Sequence, residues 1–163
     1  MGVALGVAVR MSPQMGHATR VETLSHELQA AMRYARSEAT SRGMRVALCP
    51  TAEPLAPTPA CSAHAGLNRG WLVFVDDVRV TGNTPGAFEP SRDRLLRVVR
   101  GDDAVSVTGS HADLAAWLAY DARGMLLGPS GWLATEIMFC LNGMASAVQL
   151  GTDGSTAIRS GRC

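Results

Sequence analysis

Apolar residues recur at helical spacing in the N-terminal part of the chain and at strand-like spacing in the rest. Between positions 21 and 39, residues three or four apart form one apolar stripe, and most of the charged residues of this segment lie off it. The stripe consists of Val21, Leu24, Leu28, Ala31, Met32, Ala35 and Ala39. This spacing predicts a long amphipathic helix with one face against a core.

Both ends of this helix carry recognisable signals. Gly43 follows a basic last turn that ends in Arg42, and a glycine at this position is typical of a helix C-terminus. At the other end, Ser12-Pro13 combines a cap residue with a proline at the first helical position, so we expect a break or kink there. Strand-forming residues begin directly after Gly43, in the segment MRVALC.

Short apolar runs separated by turn signals predict strands through the remainder of the chain. The clearest is Gly70–Asp77, and Asn142-Gly143 between two apolar runs is the strongest hairpin signal. Thr51–Ala60 contains too many prolines for a central strand. The predicted strands are residues 44–49, 70–77, 95–100, 104–108, 115–120, 125–127, 136–141, 145–150 and 157–159.

These elements predict an α+β fold in which a long N-terminal amphipathic helix packs on an antiparallel β-sandwich or meander. We divide the chain into a helical arm, residues 1–42, and a β-rich head, residues 43–163. The arm would combine a truncated membrane segment with the amphipathic part.

Composition fits one globular domain and narrows the range of partners. The chain has 163 residues, 47% of them hydrophobic and 18% charged, which argues against wholesale disorder. The net charge of +1 gives no overall electrostatic signature of a nucleic-acid-binding protein.

The first residues form an apolar run, Gly2–Val9, which Arg10 ends. Crossing a bilayer takes roughly 20 apolar residues, so this run cannot do so by itself. One interpretation is a buried helix start, and the other is the end of a membrane helix whose first half is missing. We favour the second, because the run leads directly into the amphipathic helix.

Four cysteines, at positions 49, 61, 140 and 163, match no zinc-site spacing. Three disulfide pairings are open, and four unpaired thiols are the alternative. We expect the local pairing, Cys49 with Cys61 and Cys140 with Cys163, because each bond would close a short loop or tail. Each would contribute about 3 kcal/mol in the chain-entropy picture. Disulfides would place the domain in an oxidising compartment, most simply the bacterial periplasm.

The sequence contains no motif that is typical of an enzyme active site. The sequence has neither a G-x-S-x-G motif nor a phosphate-binding loop, and the histidines at 17, 26, 64 and 111 are scattered. Asp76-Asp77 and Asp102-Asp103 lie at strand ends or turns, where aspartate is expected without a metal. We therefore predict no enzyme activity, no catalytic residue, no metal and no cofactor. Trp71, Trp117 and Trp132 are interpreted as packing residues rather than a platform for nucleic-acid bases.

Arginines concentrate in two places. Arg92, Arg94, Arg97 and Arg100 fall on or near a predicted strand, where Arg94 with Arg100, or Arg92 with Arg94, would share one face; Arg159 and Arg162 lie near the C-terminus. A local basic strip could bind a phosphate backbone. Nearby aspartates at 93, 102 and 103 instead favour a solvated, neutralised strand face.

Four segments resemble the FimT/FimU/GspH family of minor pilins and pseudopilins. They are the ARSEATSRG helix end, the VALCP strand with Cys61 following, the GWLVFVDD strand and the terminal IRSGR. In this family a prepilin has a basic leader, a membrane-spanning helix and a periplasmic β-domain. The resemblance implies processing by prepilin peptidase, methylation, and assembly into a type IV pilus or a type II secretion pseudopilus.

The resemblance also implies partners and a location. Other pilin or pseudopilin subunits would bind through the N-terminal helix, and the missing N-terminal half would lie in the inner membrane. The protein would thus be a single-pass inner-membrane protein with a periplasmic head. Gly2–Val9 would correspond to the end of the membrane-buried half of the helix.

Three functions are consistent with this resemblance. The first is a structural minor pilin that takes part in type IV pilus assembly. The second is a DNA-binding competence pilin, because some FimT-like members bind DNA through a C-terminal Gly-Arg-x-Arg motif. Here Gly161-Arg162 is followed by Cys163, so the second arginine is absent, and DNA contact by Arg159 and Arg162 is not favoured. The third is a GspH-like minor pseudopilin that serves protein secretion.

Overall fold

The computed structural model describes residues 13–63 and 65–163, which form one long helix and ten strands. Helix α1 runs from Pro13 to Arg42. The strands are β1 (Val46–Pro50), β2 (Gly70–Val75), β3 (Arg94–Arg100), β4 (Ser106–Gly109), β5 (Leu118–Tyr120), β6 (Leu126–Gly128), β7 (Gly131–Trp132), β8 (Thr135–Leu141), β9 (Met144–Leu150) and β10 (Thr156–Arg162). The Gly2–Val9 run, Ser12 and His64 lie outside the described residues.

The strands form two antiparallel sheets, and α1 packs on both. The first sheet has the strand order β3-β2-β1-β5-β6-β7, and the second has the order β10-β9-β8-β4. Helix α1 contacts β9, β8 and β10 of the second sheet and β1, β2 and β5 of the first. The predicted α+β fold, with a helix on antiparallel sheets, is confirmed.

The apolar stripe of α1 is buried along its whole length. All seven of its residues have exposed fractions of 4% or less. They pack in one cluster with Trp71 and Tyr120 of the first sheet and Phe139 of the second. Helix and sheets therefore share one hydrophobic core, and the proposed division of the chain at residue 42 stays a prediction.

A second, smaller cluster covers the other face of the first sheet. Leu72 and Phe74 belong to it, and the ring of Phe88 lies 5.3 Å from that of Phe74. Strands β1 and β2 are therefore buried on both faces. This explains why their sequences are nearly continuous apolar runs and do not alternate.

Gly43 ends the helix as predicted. Its φ of 62° is left-handed, and the amide of Met44 donates to the carbonyl of Ala39 over 3.2 Å. This is the Schellman pattern, which turns the chain into β1 within three residues. A residue with a side chain would be strained at this φ.

The strand pattern differs from the predicted one in three places. Residues 112–115 form a 3₁₀ turn, so β5 begins only at Leu118; the His111 ring accepts the amide of Asp113 and caps this turn. Gly131–Trp132, where no strand was predicted, forms the short edge strand β7. Strand β10 is longer than predicted, because its register with β9 extends to Arg162.

The predicted packing role of Trp132 is wrong. Trp71 is fully buried, but Trp132 is 56% exposed. It lies on β7, a two-residue strand at the sheet edge, and the Arg123 guanidinium lies 5.2 Å from its ring centroid. A cation–π contact thus takes the place of core packing.

Arg94 and Arg100 do not share one face of β3, so this one of the two predicted alternatives is wrong. The β2–β3 register shifts between Val73 and Phe74. Arg94 therefore lies opposite Val75 and Arg97 opposite Val73, on the face towards α1, whereas Arg100 lies opposite Gly70 on the other face. The irregularity changes which residues alternate, so Arg94 and Arg100 point to opposite sides.

Candidate functional site

The disulfides tie together segments that flank the sheets. Cys49 of β1 bonds Cys61 with a Cα–Cα distance of 5.5 Å, and Cys140 of β8 bonds Cys163 with 6.1 Å. This is the local pairing expected from the sequence, and none of the described cysteines is free. The second bond reaches across β9 and fixes the end of β10 to β8.

Arg36 holds two loops of the β-rich part against the helix. Its Nε donates to the carbonyl of Gly124 over 3.1 Å, and its terminal nitrogens donate to the carbonyls of Gly154 and Asp153 over 3.2 and 2.7 Å. One planar guanidinium thus binds the turn before β6 and the turn before β10. We call this contact between α1 and the two turns the joint. Arg36 belongs to the ARSEA segment, so this motif has a structural role at the joint.

Gly154 is required by this close approach. It has a φ of 80°, and a Cβ there would lie 2.3 Å from the carbonyl oxygen of Gly124 and 2.6 Å from Arg36 Nε. Any larger residue would push the two loops apart. The joint therefore depends on a specific arginine and on the space that this glycine leaves.

A salt bridge attaches the other half of the helix to the β3–β4 loop. Two nitrogens of the Arg20 guanidinium donate to the two carboxylate oxygens of Asp102. Nε donates to Oδ2 over 2.6 Å, and Nη2 donates to Oδ1. The hydrogen bond from Arg20 lowers the pKa of Asp102. Together with Arg36, this pair fixes the helix to the sheets near both ends.

A buried ion pair organises the loop that covers the first sheet. Asp76 Oδ2 accepts Arg45 Nε over 2.8 Å and the amide of Gly86 over 2.8 Å, and its side chain is fully buried. Burial raises the pKa of this carboxyl, although Arg45 opposes the shift. The Arg45 guanidinium also lies 5.2 Å from the centroid of the Trp117 ring.

The aspartates at strand ends thus have structural partners. Asp102 pairs with Arg20, and Asp103 lies 3.4 Å from Arg69. Asp77 pairs with Arg79 over 2.9 Å. Within residues 13–63 and 65–163, no group of three or more histidine, cysteine or acidic side chains is arranged to hold a metal ion.

The described histidines lie apart. His17 contacts Asn142 over 3.1 Å, His26 is exposed on α1, and His111 caps the 3₁₀ turn. His17 and His26 are both on α1 but nine residues apart, and His111 lies beside the 3₁₀ turn of the β-rich part. His64, the fourth, lies outside the described residues.

Strand β10 carries both arginines that were named as candidate DNA contacts. Arg159 lies opposite Ala147 and Arg162 opposite Met144, and both are exposed. They are three residues apart and therefore project from opposite faces of the strand. Within the described chain, neither makes an ion pair with a carboxylate.

The face of α1 that points away from the sheets has no partner within the described residues. It presents polar and small side chains, including Thr19, Thr23, His26, Ala30 and Ser37, all exposed. A helix with one face in the core and the other free is suited to contact a neighbouring molecule along its length.

The family of the protein follows from a sequence match that covers most of the chain. Residues 24–161 match the profile of a family described as "Type II transport protein GspH". The chain belongs to this family. Among curated protein sequences, no match reaches significance.

Solved structures of two related proteins have the same fold. The type IV minor pilin FimU of Pseudomonas aeruginosa shares 17% identity over 86% of this chain and 89% of its own, with a TM-score of 0.59. A second crystal form of FimU gives 18% identity and a TM-score of 0.56. The minor pseudopilin EpsH of the Vibrio cholerae type II secretion system gives 8% identity and a TM-score of 0.56, over 86% of this chain and 97% of its own.

Family membership gives the general function. The GspH-family protein is a minor pilin or pseudopilin, a structural subunit and not an enzyme, and it assembles with other pilin subunits. The family resemblance inferred from four segments is confirmed. Within the described residues, no helix has both the length and the apolar character needed to cross a bilayer.

Sequence reasoning assigned no role to the arginines that join distant segments. Arg20 and Arg36 bind the helix to the β-rich part and Arg45 pairs within the first sheet, and their partners are 31 to 118 residues away along the chain. The buried contact between the hydroxyls of Ser25 and Ser146, 2.7 Å apart, was equally hidden. A serine beside an apolar stripe was the one local hint of a polar contact inside the core.

Proposed function

We propose that this protein is a structural minor pilin that takes part in type IV pilus assembly, anchored in the inner membrane with its head in the periplasm. The observation that carries the proposal is the division of α1 into a face buried against both sheets and a free polar face. This leaves a continuous helical surface for neighbouring subunits while the head stays rigidly attached through Arg20 and Arg36.

Two further observations support the pilus and the periplasm. FimU, named a type IV minor pilin, shares 17 to 18% identity with the chain, and EpsH, named a minor pseudopilin, shares 8%. The two disulfides suit an oxidising compartment. The apolar Gly2–Val9 run before α1 supports attachment to the membrane.

Deletion of the gene tests this proposal. We expect the deletion strain to lose surface pili and twitching motility, with secreted protein unchanged, and the wild-type gene to restore both. Normal piliation with a loss of type II secretion would instead support the secretion pseudopilin.

A DNA-binding role is the second candidate. Arg159 and Arg162 support it, because they are exposed and form no ion pair with the part of the chain that the structure describes. Gel shifts with duplex DNA over a salt titration test it, with Arg159→Ala and Arg162→Ala as variants. Binding through phosphate contacts should weaken steeply as the salt concentration rises. The affinity of each variant should depend less strongly on salt. Arg79→Ala, which removes an exposed arginine outside both β10 and the β3 strip, is the control. Absent or salt-insensitive binding would remove this candidate.

A further inference from the structure

Within residues 13–63 and 65–163, strand β10 leaves one edge of the second sheet unpaired along seven residues. It pairs with β9 from Thr156 to Arg162, and it is the terminal strand of that sheet. The chain is exposed from Arg159 to Cys163. This edge therefore offers backbone donors and acceptors to another chain.

The hairpin geometry defines which backbone groups point outwards. Asn142 and Gly143 both have positive φ and form a two-residue turn, which makes Leu141 and Met144 a hydrogen-bonded pair. Alternation along β9 then directs the backbone groups of Ala145, Ala147 and Gln149 towards β10. Their partners on β10 are Gly161, Arg159 and Ala157.

The remaining residues of β10 direct their N–H and C=O groups away from the sheet. These are Thr156, Ile158, Ser160 and Arg162, at the two-residue spacing that a strand partner requires. The β9–β10 register runs without a bulge, and β10 contains no proline. Of the features that normally protect a free sheet edge, β10 therefore has only charged side chains.

The charged side chains on β10, and the α1 side chain that hydrogen-bonds to its first residue, are all arginines. Arg159 and Arg162 lie on β10 itself, and Arg33 of α1 reaches its first residue, with Nε donating to Thr156 Oγ1 over 3.0 Å. Within the described chain none of the three is paired with a carboxylate. Arg159 and Arg162 lie on opposite faces of β10, and the side chains of an added strand alternate between the same two faces. An acidic strand would therefore complement these arginines, whereas a basic or neutral one would leave them uncompensated.

We propose that the free edge of β10 is a pairing site, at which an extended, acidic segment of a neighbouring pilin subunit adds a fifth strand to the second sheet. Main-chain hydrogen bonds would supply affinity, and the three arginines would select acidic segments. This inference rests on the proposed function, because it takes its partner from subunit assembly.

The test uses the full chain in detergent and, one at a time, the purified major pilin and the other minor pilins of the same organism. Ser160→Pro removes an outward N–H without touching the ladder to β9, and proline is tolerated at such an edge position. Ser160→Ala keeps the N–H and is the matched control. A charge reversal, Arg159→Glu with Arg162→Glu, tests the contribution of the β10 arginines independently.

We expect at least one subunit to bind the wild type and Ser160→Ala equally. Ser160→Pro and the charge reversal should each weaken that binding by about tenfold or more. Hydrogen exchange should slow on binding at the amides of Ile158, Ser160 and Arg162. The amides of Ala157, Arg159 and Gly161 should already be slow in the free protein.

Equal binding by Ser160→Pro and Ser160→Ala, or unchanged exchange at the outward amides, would overturn the proposal even where the deletion strain lacks pili. Protection that duplex DNA produces and no subunit produces would overturn it as well. A wild-type protein that binds no subunit, in a strain whose deletion leaves piliation intact, would overturn the proposed function with it.

Discussion

At the scale of single residues, the arginines act as connectors between segments that are far apart in the chain. Arg36 is the clearest case, because its three hydrogen bonds all end on backbone carbonyls of two turns. A lysine offers a single point charge and cannot span the same three acceptors. The arginine of the ARSEA segment is therefore explained by the geometry of the joint it occupies.

Arg36→Ala should lower the free energy of unfolding by about 2 kcal/mol, because three carbonyls lose a charged donor. Arg36→Lys should recover only part of this loss. Urea unfolding at equilibrium gives the values. Arg33→Ala is the control, since Arg33 makes one exposed hydrogen bond, and it should change stability by less than about 0.5 kcal/mol. Equal effects of Arg36→Ala and Arg33→Ala would contradict the role assigned to Arg36.

At the scale of elements, α1 is attached to the sheets by its apolar stripe and by polar contacts near both ends. Arg36 binds the turns before β6 and β10, and Arg20 binds the loop between β3 and β4. Strand β10 is held by its ladder to β9 and by the bond from Cys163 to Cys140. The Arg20–Asp102 pair depends on pH and the Cys140–Cys163 bond depends on its two cysteines, so these attachments can be tested separately.

Acid should loosen the first half of α1 through Asp102. Since the folded-state pKa of Asp102 lies below its ordinary value of 3.8, the pair with Arg20 contributes stability above that value. This contribution is lost as the pH falls through the lowered pKa. We expect Asp102→Asn to be less stable than wild type at neutral pH and the difference to disappear well below pH 3.8. Urea unfolding of both proteins across this range measures it, and a difference that persists in acid would contradict the assignment.

Loss of the Cys140–Cys163 bond should act mainly on β10. For a sequence separation of 23, the chain-entropy picture gives a cost of about 3 kcal/mol. The double variant Cys140→Ala with Cys163→Ala should show this loss in denaturant unfolding and faster hydrogen exchange at β10 than at β1. The matched variant Cys49→Ala with Cys61→Ala should leave exchange at β10 unchanged.

At the scale of the whole molecule, one core unites the helix with both sheets. Leu28 and Met32 of α1 are buried together with Trp71 of the first sheet and Phe139 of the second. The first sheet is further covered on its outer face by the loop that contains Phe88. The head and the second part of the helix should therefore unfold together.

Leu28→Ala should test this shared core. Leu28 is fully buried, so the substitution should cost about 3 kcal/mol. Tryptophan fluorescence and far-UV circular dichroism should still report one coincident transition. His26→Ala, on the exposed face two residues away, should be nearly neutral. Separate transitions for helix and sheets would show that they are independent units.

The local elements could be predicted from the sequence, because their causes are local. The stripe from Val21 to Ala39, the stop at Gly43 and the hairpin at Asn142-Gly143 each follow from spacing or from the preference of one residue for a left-handed backbone. The amino-acid sequences of four segments also indicated the family. These features were sufficient to predict an α+β fold with a helix on antiparallel strands.

The way in which these elements pack together could not be predicted from local sequence. The division into two sheets, the register shift that separates Arg94 from Arg100, and the partners of Arg20, Arg36 and Arg45 depend on residues distant in the chain. The free edge of β10 is likewise a property of strand order. Periodicity shows which face of an element is apolar, but it carries no information about which strand will lie beside another, because that choice is made by packing of the whole core.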